Sequence, residues 1–441
     1  MDKKCVTHIE PLAHPLDGSV KVPGDKSISH RAVLFSAMAE GTSRLTGVLD
    51  SADVRSTIAA VRALGAEVSL ERQLDGSLAG GVTGWGEAGP QQPDQPIDCG
   101  NSGTTARLTM GVLAPWNIRV QLTGDDSLVK RPMMRIMAPL MKMGVHYEPD
   151  VRETLPVTEI GNPELKAITY DSPVASAQLK TALLLAGLRA EGTTVVNEPA
   201  ISRNHTELML PEFGVAVDSA FRRASVTGPV TLHASEVDVP GDPSSAAFLI
   251  CAALLKPGSS IQIENVSLNP GRVGFIRTLE RMGAAIEVRY LTAEGKEPIG
   301  IIEAAYTPHL VGCEIPSQHI ASEIDEIPVL ALVAAHASGI TVFRGVSELT
   351  KKESNRLDAI IEGLTMLGVN AWAENDNLHI EGNPQLQVPN GLTFDSRKDH
   401  RLAMTWSLVG LCSDTAVDVI DFDSVQISFP RFLSSLEELA R

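Results

Sequence analysis

A short turn recurs five times along the chain, each time where an amphipathic helix gives way to an apolar strand. The turn consists of an apolar residue, a glycine, and then alanine or valine, and its glycines are Gly65, Gly144, Gly214, Gly283 and Gly368. Successive glycines lie 79, 70, 69 and 85 residues apart. A helix that ends in this way needs a residue that tolerates positive φ, and glycine does so at no steric cost. The repeated helix–turn–strand pattern therefore restricts the fold more than any single motif does.

A second turn lies between the copies of the first, where a helix ends and a β-branched strand opens. It is found at Gly41-Thr42, Gly192-Thr193, Gly258-Ser259 and Gly339-Ile340. A sixth helix, predicted over Phe432 to Ala440, ends the chain where the next glycine would fall. We therefore predict six copies of one α/β unit, each with two helices and several strands. Only 80–96, which is rich in glycine, proline and glutamine, is predicted to be a surface loop.

The repeat also has a higher order. Val22-Pro23-Gly24-Asp25 returns 217 residues later as Val239-Pro240-Gly241-Asp242, so that two halves of three units each follow. A chain of 441 residues exceeds the size at which single cores usually stop growing. If the first strand belongs with the last three units, the chain crosses between domains near 22–26 and 239–243. One predicted domain is then 25–240, and the other is 1–24 together with 241–441. The alternative is that the repeat reflects only repetition at the level of the gene, with no functional site at the crossings.

The composition limits the partners of the chain. A formal net charge of −17 argues against nucleic acid and anionic membranes, because the averaged field repels both. Apolar stretches such as 246–255 are too short to span a bilayer, and no signal-peptide core follows the polar opening, so we expect a cytoplasmic protein. Five scattered cysteines without CxxC or Cys/His spacing predict reduced thiols and no metal site.

Polar segments that could hold anions stand at predicted helix starts in the first half. Backbone N–H groups and the positive end of the helix dipole attract oxyanions there, and lysine and arginine side chains add to that attraction. Helix caps with solvated charges would explain each segment equally well. The segments are Gly24 to Arg31, Cys99 to Arg107, Ser127 to Met133, Ser176 to Lys180, and Ser202 to Glu207.

The second half places carboxylates beside cations in the same way. Glu323 to Pro328 brings three carboxylates to the mouth of an apolar helix, and mixed charges precede helices in Lys351 to Arg356 and Arg397 to Arg401. Negative charge at a helix start can also simply complement the dipole. Taken together, several cations and at least two carboxylates at helix starts in both halves suit a reaction on a multiply anionic substrate pair.

Seven ordered segments closely resemble the 5-enolpyruvylshikimate-3-phosphate synthases, and the resemblance extends through nearly the whole chain. The Ala175 to Lys180 segment is similar to the second class of these enzymes. The resemblance implies an α/β fold of two similar domains, each built from three βαβαββ units. The segments are Gly24 to Arg31, Gly100 to Thr105, Lys130 to Met133, Ala175 to Gln178, Ile324 to Glu326, Lys352 to Arg356, and Asp399 to Arg401.

The resemblance also implies an activity and a set of site residues. The enzyme would transfer the enolpyruvyl group of phosphoenolpyruvate to the 5-hydroxyl of shikimate 3-phosphate and release phosphate, in the shikimate pathway of aromatic amino acid biosynthesis. Asp325 would be the base, Glu353 the acid and base at the methylene, and Lys26 is counted with them as catalytic. The expected ligands of phosphoenolpyruvate are Lys26, Gly103, Arg131, Gln178, Arg356 and Arg401. Those of shikimate 3-phosphate are Ser27, Arg31, Ser176, Gln178, Ser202, Arg203, Asp325 and Lys352.

The chemistry that is implied needs one group that donates a proton first and accepts it later. Attack of the hydroxyl on C2 requires a proton at C3, and the tetrahedral intermediate then loses phosphate as C3 gives up a proton. A carboxyl whose pKa is raised by enclosure suits this, whereas the cations around Glu353 would lower its pKa. We expect no metal or organic cofactor, because phosphate is already a good leaving group and arginines can stabilise charge.

The chain departs from the family pattern at Asn204 and Asn355, where aspartates are usual, and Gln426 to Pro430 lacks the lysine of first-class members. These changes leave open a catalytically silent protein that binds phosphorylated metabolites. A sugar-nucleotide enolpyruvyl transferase is the other alternative, although Ser27 stands where that family has asparagine, and 124–130 lacks its cysteine. The resemblance further implies a monomer and a target of glyphosate. Gly103, which some tolerant members replace with alanine, predicts at least partial sensitivity.

Overall fold

Thirteen α-helices lie in the described part of the chain, which comprises residues 5–148, 153–292 and 296–441 of a computed structural model. Seven of them open with a side-chain cap, and two others, α4 and α8, end at or next to one of the turn glycines, as the sequence pattern predicts. The helices are α1 Lys26–Met38, α2 Ala52–Ala63, α3 Gly103–Leu113, α4 Met134–Met143, α5 Ala177–Gly187, α6 His205–Met209, α7 Pro243–Leu255, α8 Gly274–Arg281, α9 Ser317–Ile320, α10 Ile327–Ala335, α11 Arg356–Met366, α12 His400–Cys412 and α13 Phe432–Leu439.

Twenty-three strands alternate with these helices in the described residues. They are β1 Val6–Ile9, β2 Asp17–Lys21, β3 Thr42–Val48, β4 Glu67–Arg72, β5 Leu78–Thr83, β6 Ile97–Asp98, β7 Arg119–Thr123, β8 His146–Glu148, β9 Val157–Ile160, β10 Thr169–Asp171, β11 Gly192–Asn197, β12 Asp218–Ala220, β13 Arg223–Gly228, β14 Glu236–Asp238, β15 Ser260–Ser267, β16 Ala285–Tyr290, β17 Ile299–Ala305, β18 Glu314–Ile315, β19 Gly339–Arg344, β20 Asn370–Glu374, β21 Asn377–Gly382, β22 Thr393–Asp395 and β23 Val417–Ile420.

The strands form six small sheets with one recurring pattern. Five sheets have four strands, in the orders β14-β3-β5-β4, β6-β7-β9-β8, β10-β11-β13-β12, β2-β15-β17-β16 and β18-β19-β21-β20. In all five, one parallel pair is followed by two antiparallel pairings, as in β10–β11, β11–β13 and β12–β13. One or two helices connect the parallel strands in the pairs β6–β7, β10–β11 and β18–β19, whereas β14 and β2 come from distant parts of the chain to pair with β3 and β15. The sixth sheet, β1-β23-β22, has three strands. The four-stranded sheets fit the βαβαββ unit that the resemblance implied, and the sixth sheet has one strand fewer.

The described residues divide into two compact units. Unit 1 comprises 5–22, 241–292 and 298–441, and unit 2 comprises the described parts of Pro23–Pro240 together with 296–297. Each unit contains three of the six sheets. The first sheet of unit 2 takes β14 from near position 237 beside β3, and the first sheet of unit 1 takes β2 from near the chain start beside β15. The chain therefore passes between the units at 22–23 and at 240–241.

Three nearly fully buried helices pack together in each unit. In unit 2, α3 contacts both α1 and α5, and in unit 1, α7, α10 and α12 contact one another. These helices are apolar on almost every face, as in α7 and α10, because other elements surround them on all sides. Their amino-terminal ends carry or follow the polar segments of the sequence analysis. The buried helices therefore fix the positions of the candidate site residues.

The structure confirms the positions of the turn glycines but not the whole of the predicted loop. Gly65, Gly144, Gly214, Gly283 and Gly368 all have positive φ, between 78° and 117°. The predicted surface loop over 80–96 was wrong at its start, because β5 continues to Thr83. A side chain at Gly80 would overlap the carbonyl oxygen of Ser69 on β4. The glycines there permit close strand pairing and do not mark a loop.

In the described residues, no helix is both long and apolar enough to cross a membrane. All five cysteines lie in described segments and are free thiols.

Candidate functional site

The first polar segment of unit 2 opens α1. The carboxylate of Asp25 accepts a hydrogen bond from the backbone N–H of Ile28 at 2.9 Å and so caps the helix. The next residue, Lys26, forms an ion pair with Asp53 of α2, with Nζ 3.2 Å from Oδ2. The Lys26 side chain is 22% exposed, and Asp53 holds its ammonium group in place.

Arg31 lies one turn further along α1 and is buried. Its Nε and Nη2 groups donate to the hydroxyls of Thr206 and Thr181, each at 2.8 Å, and Nη1 donates to the carbonyl oxygen of Ser27 at 2.9 Å. These three acceptors are neutral. Burial lowers the pKa of Arg31 to about 10, well above neutrality, so the guanidinium keeps its charge without an ion-pair partner among them.

A chain of hydroxyls holds α1, α2 and α3 together behind this segment. His30 Nδ1 lies 2.7 Å from the hydroxyl of Thr57, which lies 2.7 Å from the hydroxyl of Thr105. Burial lowers the pKa of His30 to about 3, so the imidazole is neutral at physiological pH. His30 is therefore a structural residue, and the position of the α1 start relative to that of α3 is fixed.

The start of α3 brings several predicted ligands of phosphoenolpyruvate together. Arg107 Nη1 donates to the amide oxygen of Gln178 at 2.9 Å, and Gln178 Nε2 donates to the hydroxyl of Thr104 at 3.0 Å. A Cβ atom at Gly103 would lie 2.7 Å from Arg107 Nη1 and 3.6 Å from Arg131 Nη1. Gly103 thus leaves room for two guanidinium groups over the helix start.

Arg107 lies beside the predicted ligands Gln178 and Gly103, and the sequence reasoning did not assign it to the site. It closes the Cys99 to Arg107 segment, but nothing in the pattern separates it from a surface charge. Burial, followed by the neighbouring Arg135 and Arg131, lowers its pKa to about 10. The structure therefore concentrates positive charge at this point of unit 2, which favours an anion.

Arg131 is held by neutral groups as well. Its Nη2 donates to the amide oxygen of Asn101 at 2.6 Å and to the hydroxyl of Ser127 at 3.3 Å. Asn101 in turn donates to Asp125 at 2.6 Å. The Gly100 to Thr105 segment therefore orients Arg131 without neutralising it.

Ser176 and Ser202 are joined by a buried glutamate that the sequence reasoning also missed. Glu198 Oε1 accepts from the backbone N–H of Ser176 at 3.0 Å, and Oε2 accepts from the hydroxyl of Ser202 at 2.9 Å. Lys180 balances this charge, with Nζ 2.8 Å from Glu198 and 2.7 Å from Glu207. Arg203 follows Ser202 and is half-buried. Its positive charge adds to the effect of burial in lowering the pKa of Arg31. A carboxylate that follows a strand gives no sequence signal of this role.

The polar segments of unit 1 meet at the guanidinium of Arg356, which is 1% exposed. Its Nε donates to Asp399 at 2.8 Å, Nη2 to Glu353 at 2.6 Å, and Nη1 to Asp325 at 3.2 Å. Burial opposes the charge of Arg356, but the three carboxylates outweigh burial and raise its pKa. Burial likewise raises the pKa of Asp399, and Arg356 outweighs that effect and holds it below its ordinary value.

Asp325 is surrounded by cations. Lys352 Nζ lies 3.1 Å from its Oδ1, and Arg401 Nη2 lies 3.9 Å from its Oδ2. Arg401 Nη1 also donates to the backbone carbonyl of Asp325 at 3.2 Å. Glu353, the other predicted proton-transfer group, is more open, since its side chain is 31% exposed. The structure therefore brings Asp325, Lys352, Glu353, Arg356 and Arg401 into one cluster.

The amides that replace the usual aspartates lie at helix starts. The Asn355 side chain accepts from the N–H of Asp358 at 3.3 Å, caps α11, and donates to the Asp358 carboxylate at 2.6 Å. Asp399 supplies the carboxylate that Arg356 needs at Nε. The substitution at Asn355 thus leaves the arrangement of carboxylates around Arg356 intact.

Three comparisons with known proteins agree. The family model described as EPSP synthase (3-phosphoshikimate 1-carboxyvinyltransferase) matches residues 12–436. The 3-phosphoshikimate 1-carboxyvinyltransferase of Bacillus anthracis is 43% identical over 433 residues, which cover 98% of this chain and 99% of the relative. That of a Chelativorans species is 42% identical over 430 residues, covering 96% and 94%.

Solved structures have the same fold. The EPSP synthase of Acinetobacter baumannii superposes with a TM-score of 0.88 at 38% identity, covering 99% of this chain and 98% of that one. The enolpyruvyl transferase NikO of Streptomyces tendae has a TM-score of 0.77 at 18% identity and shares the fold. These comparisons confirm the predicted fold class and activity, and they do not favour a silent binder or a sugar-nucleotide enzyme. The chain therefore belongs to the EPSP synthase family and is a 3-phosphoshikimate 1-carboxyvinyltransferase.

Proposed function

We propose that the enzyme divides its reaction between two kinds of residue, the anion-binding cations of unit 2 and the proton-transferring carboxylates of unit 1. The reaction moves the enolpyruvyl group of phosphoenolpyruvate to the 5-hydroxyl of shikimate 3-phosphate. Both substrates carry a phosphate and a carboxylate, and planar guanidinium groups bind both anions in a bidentate manner.

The ligands of phosphoenolpyruvate in unit 2 are Lys26, Gly103, Arg131 and Gln178. Arg107 joins them, because its Nη1 lies beside Gln178 and next to the space above Gly103. Arg356 and Arg401 contribute from unit 1. The support for these assignments is that Arg107 and Arg131 are held by amides, hydroxyls and a carbonyl, so that their charge is available to an anion.

The ligands of shikimate 3-phosphate are the hydroxyl and backbone groups at the starts of α1, α5 and α6. Ser176 caps α5 while Glu198 holds its backbone N–H, and Ser202 is held by the same glutamate. An anion at such a helix start gains from the free N–H groups and from the dipole. The assigned residues are Ser27, Arg31, Ser176, Gln178, Ser202 and Arg203, with Asp325 and Lys352 of unit 1.

Asp325 acts as the base for the 5-hydroxyl. Lys352 and Arg356 hold its Oδ1, and these contacts fix the carboxylate in one orientation. The hydroxyl oxygen forms a bond to C2 of phosphoenolpyruvate as its proton passes to Asp325. The attack produces a tetrahedral intermediate at C2.

Glu353 acts as the acid and then as the base at C3. It delivers a proton to the methylene carbon during attack, and it takes a proton back from the resulting methyl group as the C2–phosphate bond breaks. Arg356 Nη2 fixes one of its oxygens at 2.6 Å, while its side chain remains partly open. This second proton transfer returns the proton to Glu353. Asp325 passes the hydroxyl proton to the departing phosphate, so that both carboxyl groups return to their starting states as phosphate is released.

The single observation that carries these roles is the cluster in which one buried guanidinium bonds Asp325, Glu353 and Asp399. The experiment measures the release of phosphate from phosphoenolpyruvate in the presence of shikimate 3-phosphate by the parent enzyme, Asp325→Asn and Glu353→Gln. We expect either variant to lose about 10² to 10⁴ in kcat. Glu362→Gln is a matched control, since Glu362 also lies on α11 but is exposed and pairs with Arg397, outside the cluster.

The outcomes separate catalysis from binding. Loss of turnover in both variants, with shikimate 3-phosphate binding retained and Glu362→Gln active, supports the assigned roles. If either carboxylate variant keeps parental kcat, that residue is not a proton-transfer group. If the parent itself binds both substrates without turnover, the silent-binder alternative replaces the proposal.

The oligomeric state and location are also part of the proposal. We assign a monomer in the cytoplasm, in keeping with the acidic net charge of −17. Size-exclusion chromatography with light scattering should give the mass of one 47.0 kDa chain. A dimer mass would overturn the monomer.

A further inference from the structure

The second Val-Pro-Gly-Asp segment has no role in the function described above. Its Asp242 accepts from the backbone N–H of Ser244 at 2.7 Å and caps α7, as Asp25 caps α1. After the aspartate, however, the first copy continues with Lys26-Ser27 and the second with Pro243-Ser244. The repeated cap is kept, whereas the cation beside it is absent from the second copy.

A cation reaches the second cap from another element. Arg272, which follows β15, places Nη2 2.9 Å from Asp242 Oδ1 and 3.0 Å from the hydroxyl oxygen of Ser244. The Arg272 side chain is 2% exposed. Ser244 therefore accepts from Arg272, and its one hydroxyl proton remains for a different acceptor.

That acceptor is Glu326, a buried carboxylate next to Asp325 in the chain. The Ser244 hydroxyl donates to Glu326 Oε1. The same oxygen lies 3.4 Å from Arg401 Nη1, and this nitrogen also donates to the backbone carbonyl of Asp325. Arg401 is thus held by two acceptors from consecutive residues, one of which is connected to the α7 cap.

We propose that Glu326 is a positioning residue for Arg401, and that Ser244 and Arg272 fix Glu326 in turn. This inference rests on the proposed function, in which Arg401 binds phosphoenolpyruvate. The contacts form a continuous path from Arg272 through Ser244 and Glu326 to the guanidinium. Glu326 does not need to touch the substrate, since its effect is to hold the arginine in one geometry.

The cost of burying Glu326 is consistent with such a role. Burial raises the pKa of this carboxyl, while Arg401 opposes that effect. A buried ion pair is often no more stabilising than an apolar pair of the same size, so stability alone does not account for it. An arginine that is fixed before the substrate arrives loses less side-chain freedom on binding.

Glu326 could instead act as a competitor of the substrate for Arg401, and removal of its charge would then have the opposite effect on binding. A carboxylate beside Arg401 also competes with an incoming anion for the same guanidinium. If competition were its main effect, removal of the charge would tighten the binding of phosphoenolpyruvate. Positioning predicts weaker binding, so the direction of the change distinguishes the two roles.

The test is Glu326→Gln, which keeps the size of the side chain and an oxygen acceptor for Ser244 but removes the charge. We expect the KM for phosphoenolpyruvate to rise about tenfold, equivalent to about 1.4 kcal/mol. The Kd of shikimate 3-phosphate, measured by calorimetry, should stay within about twofold. Ser244→Ala breaks the path one step earlier and should raise the same KM by about threefold, and it also provides the test if Glu326→Gln does not fold.

Glu323→Gln is the matched control. Glu323 is buried three residues before Glu326 and accepts from the hydroxyl of Thr278 at 2.7 Å. A KM effect in Glu326→Gln with none in Glu323→Gln supports positioning. Equal effects in the two variants, equal loss of affinity for both substrates, or an unchanged or lowered KM for phosphoenolpyruvate would overturn the inference.

Arg401→Lys separates this inference from the function on which it rests. If Arg401→Lys leaves the KM for phosphoenolpyruvate unchanged, the assignment of Arg401 as a ligand fails. If Arg401→Lys raises that KM while Glu326→Gln does not, only the positioning role fails. In the double variant, Glu326→Gln should add little to the effect of Arg401→Lys, because a positioning residue acts through its partner.

Discussion

The candidate site residues of the two units differ in what holds their cations. In unit 2, Arg31, Arg107 and Arg131 donate to hydroxyls, amides and backbone carbonyls. In unit 1, Arg356 donates to three carboxylates, and Arg401 lies against a fourth. The pKa values move accordingly: burial lowers those of Arg31 and Arg107 to about 10, whereas neighbouring carboxylates raise that of Arg356 against the effect of burial.

Arginine therefore serves two purposes in this protein, which are to bind anions and to orient carboxylates. A guanidinium with neutral partners is not neutralised by the protein, so its charge is available to a ligand. Its burial lowers the stability of the folded protein. A guanidinium with carboxylate partners offers a ligand less net positive charge, but it holds those carboxylates in fixed orientations. Unit 2 therefore resembles an anion receptor, and unit 1 resembles a frame for groups that move protons.

Removal of the arginine should be far more damaging in unit 1 than in unit 2. Arg356→Met leaves three carboxylates together without their cation, and we expect the free energy of unfolding to fall by about 3–5 kcal/mol. Arg107→Met loses hydrogen bonds to neutral groups and should cost about 1 kcal/mol. Urea unfolding, followed by the fluorescence of the two tryptophans in each unit, measures both effects. Equal losses would contradict the contrast between the units.

Glu323 sharpens the comparison, because this carboxyl of unit 1 lies outside the cluster of cations. Burial raises its pKa from 4.5 to about 7, so its contribution to stability is complete below pH 4.5 and is lost as the pH rises through 7. Glu323→Gln removes this dependence. We expect the variant to gain up to about 3 kcal/mol relative to the parent between pH 5 and pH 8.

The measurement for Glu323 is the difference in unfolding free energy between parent and variant at the two pH values. A difference that does not change with pH would show that the carboxyl titrates normally in the folded protein. Glu362→Gln, on the exposed side of α11, should show no such dependence.

A methyl group above α3 tests the receptor of unit 2. In Gly103→Ala, the new Cβ would lie 2.7 Å from Arg107 Nη1, so the guanidinium must shift. We expect the inhibition constant of glyphosate to rise at least tenfold, equivalent to about 1.4 kcal/mol, and the KM for phosphoenolpyruvate to rise less. Gly81→Ala, where the added Cβ makes an ordinary contact with Thr42, is the control. Unaltered inhibition in Gly103→Ala would place glyphosate elsewhere.

The smallest effect is expected where unit 2 has a carboxylate of its own. Asp53 pairs with Lys26, whose side chain is partly exposed, and Asp53→Asn removes one charge while keeping an oxygen that can accept a hydrogen bond from the lysine. We expect the KM for phosphoenolpyruvate to change by about twofold to threefold. Steady-state kinetics at two salt concentrations would check this, and a change of tenfold or more would mean that Lys26 depends on carboxylate support as Arg356 does.

The sequence predicted the fold well where backbone geometry demands one residue type. Gly65 and Gly144 mark helix ends because positive φ there excludes most side chains, and this requirement is visible in the amino acid itself. Gly80 misled the prediction for the same reason, since a glycine that permits close strand pairing looks like a loop glycine. The periodic pattern therefore predicted the repeating α/β unit, whereas the extent of β5 depends on its pairing with β4 and could not be predicted from the pattern.

The site was predictable as a set of residues but not as a set of contacts. The family resemblance indicated Asp325, Glu353 and Arg356, and the structure brings these three together. Nothing in the sequence showed that Glu198 would join Ser176 to Ser202, because that contact depends on how β11 lies against the starts of α5 and α6. Roles in ligand binding remain predictions for the experiments above.

The two aspartate caps at Asp25 and Asp242 are one arrangement used twice within one polypeptide. In each copy an aspartate caps the helix start, yet the first is followed by a lysine that pairs with Asp53 and the second by a proline and by a serine that bonds Glu326. Paralogous genes often specialise in this way after they separate. Here the two differing copies belong to one polypeptide, so they are always synthesised together and in equal number.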